Sequence, residues 1–229
     1  MAVFVDGENL AVRFAAACRD KQQDPRCLLH YEEGTFAWSI YLHVAIRQEF
    51  PTGPIHYFTS VSGDDAKRDS LVGRVKRYGL VPHVRKRRKN DKSKGVDVAL
   101  AVAATVYAIE KKPERILLIS GDADFVPLVQ LCRQRYAHVS VWSFPIGLSP
   151  EVEREADACD TTRLSDVLSS SLTPSTPVEV VLSGGPNGGH IEPADGTWQI
   201  GADKDFGGNL YRREPTTPTA TAVFVGRST

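Results

Sequence analysis

The sequence predicts an α/β fold: a central, mostly parallel sheet with helices on both faces, followed by a C-terminal tail. Three observations carry this prediction. Short apolar runs alternate with helix-length segments over about the first 165 residues, as parallel sheets with crossover helices require. One run, Arg115 to Ser120, is apolar without alternation, as expected of a strand covered on both faces. From about Ser169 the alternation stops: residues 171–229 hold 9 Gly and 6 Pro among 59 residues. The chain therefore divides into an α/β domain at 1–168 and a tail at 169–229 that is poorly ordered or a small β appendage.

Taken in order, residues 2–6 read as a short apolar strand ending at Asp6-Gly7. Leu10 to Cys18 reads as a helix, broken by Asp24-Pro25. Thr35 to Phe50 places Phe36, Ile40, Leu42, Val44 and Ile46 along a second helix, stopped by Pro51. The β-branched and aromatic stretch from Pro54 to Thr59 predicts a strand. Asp64 or Asp65 caps a helix carrying Leu71, Val75 and Tyr78, with Gly79 as its stop. Leu80 to Val84 is a strand, and a basic loop follows. Val96 to about Lys111 is Ala-rich and apolar nearly all round, which predicts a buried helix. After the central strand, Gly121 allows a tight turn and Asp124 can cap the next helix, in whose first turn Pro127 is tolerated. His138 to Phe144 is the last strand of the domain, and Val178–Leu182, Thr197–Ile200 and Ala222–Val225 are short strand candidates in the tail.

Composition excludes several classes. No stretch approaches the ~20 apolar residues of a membrane span. Nothing at the N-terminus reads as a secretory signal, so a cytoplasmic protein with reduced thiols is expected. Cys18 and Cys132 fall in apolar helical patterns, and Cys27-Leu-Leu-His30 has metal-ligand spacing without the second pair a zinc site needs.

The informative residues are acidic. Asp6 ends the first strand, Asp122 follows the central strand with Asp124 beside it, and Asp97 sits in the first turn of the Ala-rich helix. In an open parallel sheet the active crevice lies outside the carboxyl ends of the strands, where Asp6 and Asp122 stand by this reading. Carboxylates gathered there repel one another unless a cation joins them. A hard divalent cation takes such oxygen ligands, and metal-assisted phosphodiester hydrolysis is a common use of such a cluster. The net charge is zero, yet Asp64 to Lys94 holds 12 Lys/Arg against 4 Asp, a local net of +8. Its densest part is Arg85, Lys86, Arg87, Arg88, Lys89, Lys92 and Lys94. A basic run beside an acidic cluster fits a polyanion held close to metals, and it fits a solvated loop as well.

The motifs VDGENL, KGVDVALAV and SGDADFVPL, in that order, resemble those of NYN domains, a branch of the PIN-like nuclease superfamily. The resemblance covers roughly residues 1–165. It implies a PIN-like three-layer sandwich, a metal-dependent ribonuclease and RNA as the substrate. It also implies Asp6, Asp97 and Asp122 as ligands of Mg²⁺ or Mn²⁺ and Asp124 as a further ligand or a supporting group. Asn9 would assist or orient Asp6. PIN relatives often carry an acidic residue where Asn9 stands, and a neutral amide lowers the charge available for a second metal.

The expected chemistry is hydrolysis of single-stranded RNA, with an ion between Asp6 and Asp122 and a water positioned by Asp97 or Asp124. Ser120 and Lys94 would add phosphate contacts, and the basic run would grip the backbone. A non-catalytic RNA-binding module on the same fold stays open, as do a DNA nuclease and a haloacid-dehalogenase-like phosphatase. For the last, Glu8 stands where the nucleophile loop needs a second Asp. The sequence leaves a homo-oligomer possible.

Overall fold

The computed structural model describes residues 1–22, 30–87, 94–170 and four short tail strands. The domain begins with β1 (Ala2–Asp6) and α1 (Gly7–Asp20), and continues through the hairpin β2 (His30–Glu32) and β3 (Phe36–Trp38) into α2 (Ile40–Glu49). Next come β4 (Ile55–Ser62), α3 (Asp65–Arg77), β5 (Val81–Arg87) and α4 (Lys94–Lys111). Then follow β6 (Arg115–Ile119), α5 (Val126–Gln134), β7 (His138–Trp142), α6 (Pro150–Glu155), β8 (Ala158–Asp160) and α7 (Thr162–Ser170). Six strands form one sheet in the order β5-β4-β1-β6-β7-β8, every neighbouring pair parallel.

Apolar side chains alternate between the two faces of this sheet and build two cores. Val3, Val5, Tyr57, Leu117 and Ile119 pack against α1, α2, α3 and the β2–β3 hairpin. Phe4, Phe58, Ile116, Leu118 and Val141 pack against α4, α5 and α6 on the other face. This is the three-layer α/β arrangement expected from the sequence. β1 sits between β4 and β6, with Val5 level with Tyr57 on one side and Ile119 on the other. Asp6 and Ser120 therefore emerge side by side at the carboxyl edge.

Four local expectations are corrected. Residues 35–50 are not one helix. Phe36 and Trp38 are buried in β3, and the Ala37 N–H donates to the Tyr57 hydroxyl at 3.1 Å. Ser39 then caps α2 by accepting from the Leu42 N–H, so the helix starts at Ile40. The basic loop begins later than expected, because β5 runs on to Arg87 opposite Ser62. The helix α4 is buried on one face only: Val96, Leu100, Ala104 and Ala108 enter the core while Val98, Val102, Val106 and Ile109 are exposed. Finally, β7 ends at Trp142 and is not the last strand, since β8 pairs beside it.

Among the described tail residues, β9 (Val181–Ser183), β10 (His190–Glu192), β11 (Leu210–Arg213) and β12 (Ala220–Val225) form an antiparallel sheet in the order β10-β9-β12-β11. The expected strand at 197–200 lies outside the described residues.

Candidate active site at the carboxyl edge of the sheet

The junction of β1 and α1 sets the centre of the site. Asp6 is at once the last strand residue and the N-cap of α1, its Oδ1 accepting from the Asn9 N–H at 3.1 Å. Its Oδ2 accepts from the Ser120 hydroxyl at 3.1 Å. Gly7 makes the junction possible, because a Cβ there would stand 2.3 Å from the Tyr57 ring. Asp6 is only 3% exposed. Burial pushes its pKa up to about 7, the Asn9 N–H and Ser120 hydroxyl oppose that rise, and the charges of Asp97 and Glu8 add to it. Asp97 is half-buried in the first turn of α4 and faces Asp6 electrostatically.

The second acidic segment is held differently. After β6, Gly121 lies against the loop that follows β7. A Cβ on Gly121 would stand 2.1 Å from the Gly147 carbonyl oxygen, and the Ser149 N–H donates to the Gly121 carbonyl at 2.8 Å. Asp122 is exposed and caps the 3₁₀ turn Ala123–Phe125, its Oδ1 accepting from the Asp124 N–H at 3.1 Å. Its own N–H reaches the Ser120 hydroxyl at 3.4 Å, so Ser120 bridges the two segments. The cap expected of Asp124 belongs to Asp122; Asp124 is exposed and contributes its backbone N–H. Phe125 precedes α5 with no side-chain cap. Asn9 likewise meets Asp6 through its backbone, not through its side-chain amide. Among the described residues no three His, Cys, Asp or Glu side chains are grouped as a metal cage.

The basic strand is occupied by internal contacts. Arg85 donates to the Gly95 carbonyl, and Lys86 lies 3.4 Å from Asp65. Arg87 lies 2.8 Å from Glu8 and donates from Nε to the Ser60 hydroxyl at 3.0 Å, while Ser60 itself donates to Glu8. Arg88, Lys89 and Lys92 lie outside the described residues, as does the side chain of Lys94 at the start of α4. Glu8, weighed in the sequence only as a departure from a phosphatase nucleophile loop, is the partner that holds Arg87. Its signal was its place in the first turn of α1, two residues beyond Asp6, where its carboxylate can turn toward the end of β4.

The NYN domain family model matches residues 1–164, the stretch that holds this strand-end aspartate, the helix-borne Asp97 and the Ser-Gly-Asp turn. The chain belongs to the NYN domain family. NYN domains are PIN-like nucleases, so membership carries a nuclease-type, hydrolase function, and NYN nucleases act on RNA. It sets aside the phosphatase alternative. No curated protein matches the chain. A protein of unknown function from Vibrio parahaemolyticus is similar in structure, with 22% identity over 69% of this chain and 89% of its own and a TM-score of 0.46. No described helix of this NYN protein is long and apolar enough to cross a membrane.

PIN-like nucleases typically use divalent metals, and the donor set can be tested against that requirement. Among the described residues no third carboxylate completes a metal cage with Asp6 and Asp97. Mg²⁺, however, commonly keeps several waters and uses one or two protein carboxylates plus substrate phosphate. A buried carboxylate whose charge is disfavoured by burial and by a second carboxylate fits that demand, since a cation would offset both.

Proposed function

We propose that this NYN domain is a metal-dependent ribonuclease hydrolysing phosphodiester bonds of single-stranded RNA. The observation that carries the reading is Asp6: buried, hydrogen-bonded by Asn9 and Ser120, and set against Asp97. Holding a buried carboxylate against the charge of a second one at the edge of a parallel sheet costs stability, a cost that a bound cation or proton would offset.

Asp6 and Asp97 would hold Mg²⁺ or Mn²⁺, and Asp122 would be a further ligand. The bound ion supplies charge neutralisation at the scissile phosphate and a water of lowered pKa. The protein's own groups do the rest. Ser120 and the Asn9 N–H fix the two oxygens of Asp6, leaving little rotational freedom in its carboxylate. Asp124, exposed at the entrance, accepts a proton from the attacking water. The water oxygen bonds to phosphorus, one P–O ester bond breaks, and the departing oxygen takes a proton from solvent. A single strand, whose backbone can bend into the crevice, is the favoured form of substrate.

One observation favours a second reading, an RNA-binding module without catalysis: the Asp122 carboxylate is turned onto its own backbone at Asp124. Labelled single-stranded RNA and DNA incubated with Mn²⁺, Mg²⁺ or EDTA decide between them. Metal-dependent RNA cleavage that disappears in Asp6→Asn supports the ribonuclease. RNA binding in EDTA with no cleavage under either metal refutes it in favour of the binding module.

A further inference from the structure

We propose that Arg13 and the turn carrying Ile146 and Gly147 form a nucleotide subsite on the β7 side of the acidic centre. Arg13 would take a backbone phosphate next to the scissile one, and Ile146 would seat the attached base. The proposal deepens the ribonuclease reading and rests on it.

Arg13 is four residues beyond Asn9 on α1, so the two share a helix face that starts at Asp6. Its side chain lies over the loop after β7, with Nε 3.1 Å and Cδ 3.2 Å from where a Cβ on Gly147 would stand. Gly147 in turn packs its carbonyl onto Gly121, the residue between Ser120 and Asp122. Two close backbone approaches thus connect Arg13 to the acidic turn. A Cβ at 147 would need the Arg13 side chain to give by a few tenths of an ångström.

The electrostatic state of Arg13 is what separates it from the other cations at this edge. Arg85, Lys86 and Arg87 each have an internal oxygen partner. Arg13 is half-buried and has no hydrogen bond or ion pair among the described residues. A guanidinium on a half-buried arginine, with its fork of donors unused among the described residues, is matched by an anion with two accepting oxygens, and a phosphodiester offers that geometry. Ile146, on the same turn, is 64% exposed. Its apolar side chain gives a flanking base a surface to rest on, which requires no sequence readout. The packing alternative is that Arg13 merely lays its aliphatic stem over Gly147 and leaves its head in water.

The test is binding of a short labelled single-stranded RNA to the full chain in EDTA, across a range of KCl. Arg13→Gln is expected to weaken binding about tenfold and to flatten the dependence of log Kd on log salt by about 0.7, the loss of one phosphate contact on a single strand. Arg13→Met, which keeps the stem over Gly147 and drops the charge, should give the same flattening. Arg13→Lys should restore the slope and part of the affinity. Ile146→Ser should weaken binding with the slope intact. A wild-type slope in both Arg13→Gln and Arg13→Met would overturn the subsite while leaving the ribonuclease reading in place. Wild-type protein that neither binds nor cleaves the RNA would overturn both.

Discussion

Asp6 and Asp122 stand at the carboxyl ends of adjacent strands, yet they occupy opposite environments. Asp6 is sealed between α1 and β6, and its carboxyl keeps a proton up to about pH 7. Asp122 lies open to solvent with its carboxylate capping the turn that follows it. The difference teaches that position along a strand does not settle a carboxylate's role. What packs over it does, by deciding whether its charge is tolerated without a cation.

The largest test of this contrast is Asp6→Asn. Removing the proposed ligand charge should cost about a thousandfold in cleavage, equivalent to several kcal/mol of lost transition-state stabilisation. The same variant should melt higher than wild type at pH 8 without metal. The carboxyl of Asp6 titrates from 3.8 when unfolded to about 7 when folded. Its contribution to stability is therefore complete below pH 3.8 and is lost as pH rises through 7. Asn escapes that loss and can still cap α1; the gain is at most about 4 kcal/mol at pH 8. Equal melting temperatures at pH 8, or a gap that persists unchanged down to pH 4, would show that the buried charge is not the cost it is taken to be.

Gly121→Ala comes next. A Cβ there meets the Gly147 carbonyl, so the turn beneath Asp122 must open, at about 3 kcal/mol of stability measured by urea unfolding. An unperturbed midpoint would mean that the turn yields freely. Asp122→Asn should be milder, lowering cleavage about tenfold with no change in melting temperature, because Asn retains the cap. A thousandfold loss would put the two carboxylates on an equal footing and erase the comparison. The smallest effect is expected of Glu8→Gln. Weakening the contact with Arg87 should raise RNA affinity about threefold at low salt and steepen its salt dependence. Unchanged affinity would place Arg87 off the path of the RNA.

Much of this was legible in the sequence because the relevant patterns are local. The uninterrupted apolar runs of β1 and β6 announced central strands, and the residues just after them had to reach the edge. The helix α4 was legible in its extent but not in its burial. An Ala/Val helix reads as apolar on every side, and only the packing of Leu100 and Ala104 onto the sheet selects the inner face. The break at Ser39 was hidden because Tyr57, which satisfies Ala37, arrives from a strand 20 residues away. The state of the basic strand was hidden for the same reason: the partner of Arg87 is Glu8, 79 residues earlier. Charge runs can be counted in a sequence, but whether each charge is spent inside the molecule is a property of tertiary contacts.

The place of β1 in the sheet has a consequence for the order of events in folding. Its ladder partners are residues 55–58 and 116–119, so β1 is completely paired only once segments more than 50 and more than 110 residues further along the sequence have come to it. Until β6 arrives an apolar strand is presented with at least one edge free. Topologies of this kind close long loops before contacts repay them, which slows folding and lengthens the interval in which such a strand can pair with another chain. The candidate site, where β1 meets β6, therefore exists only after that long loop has closed.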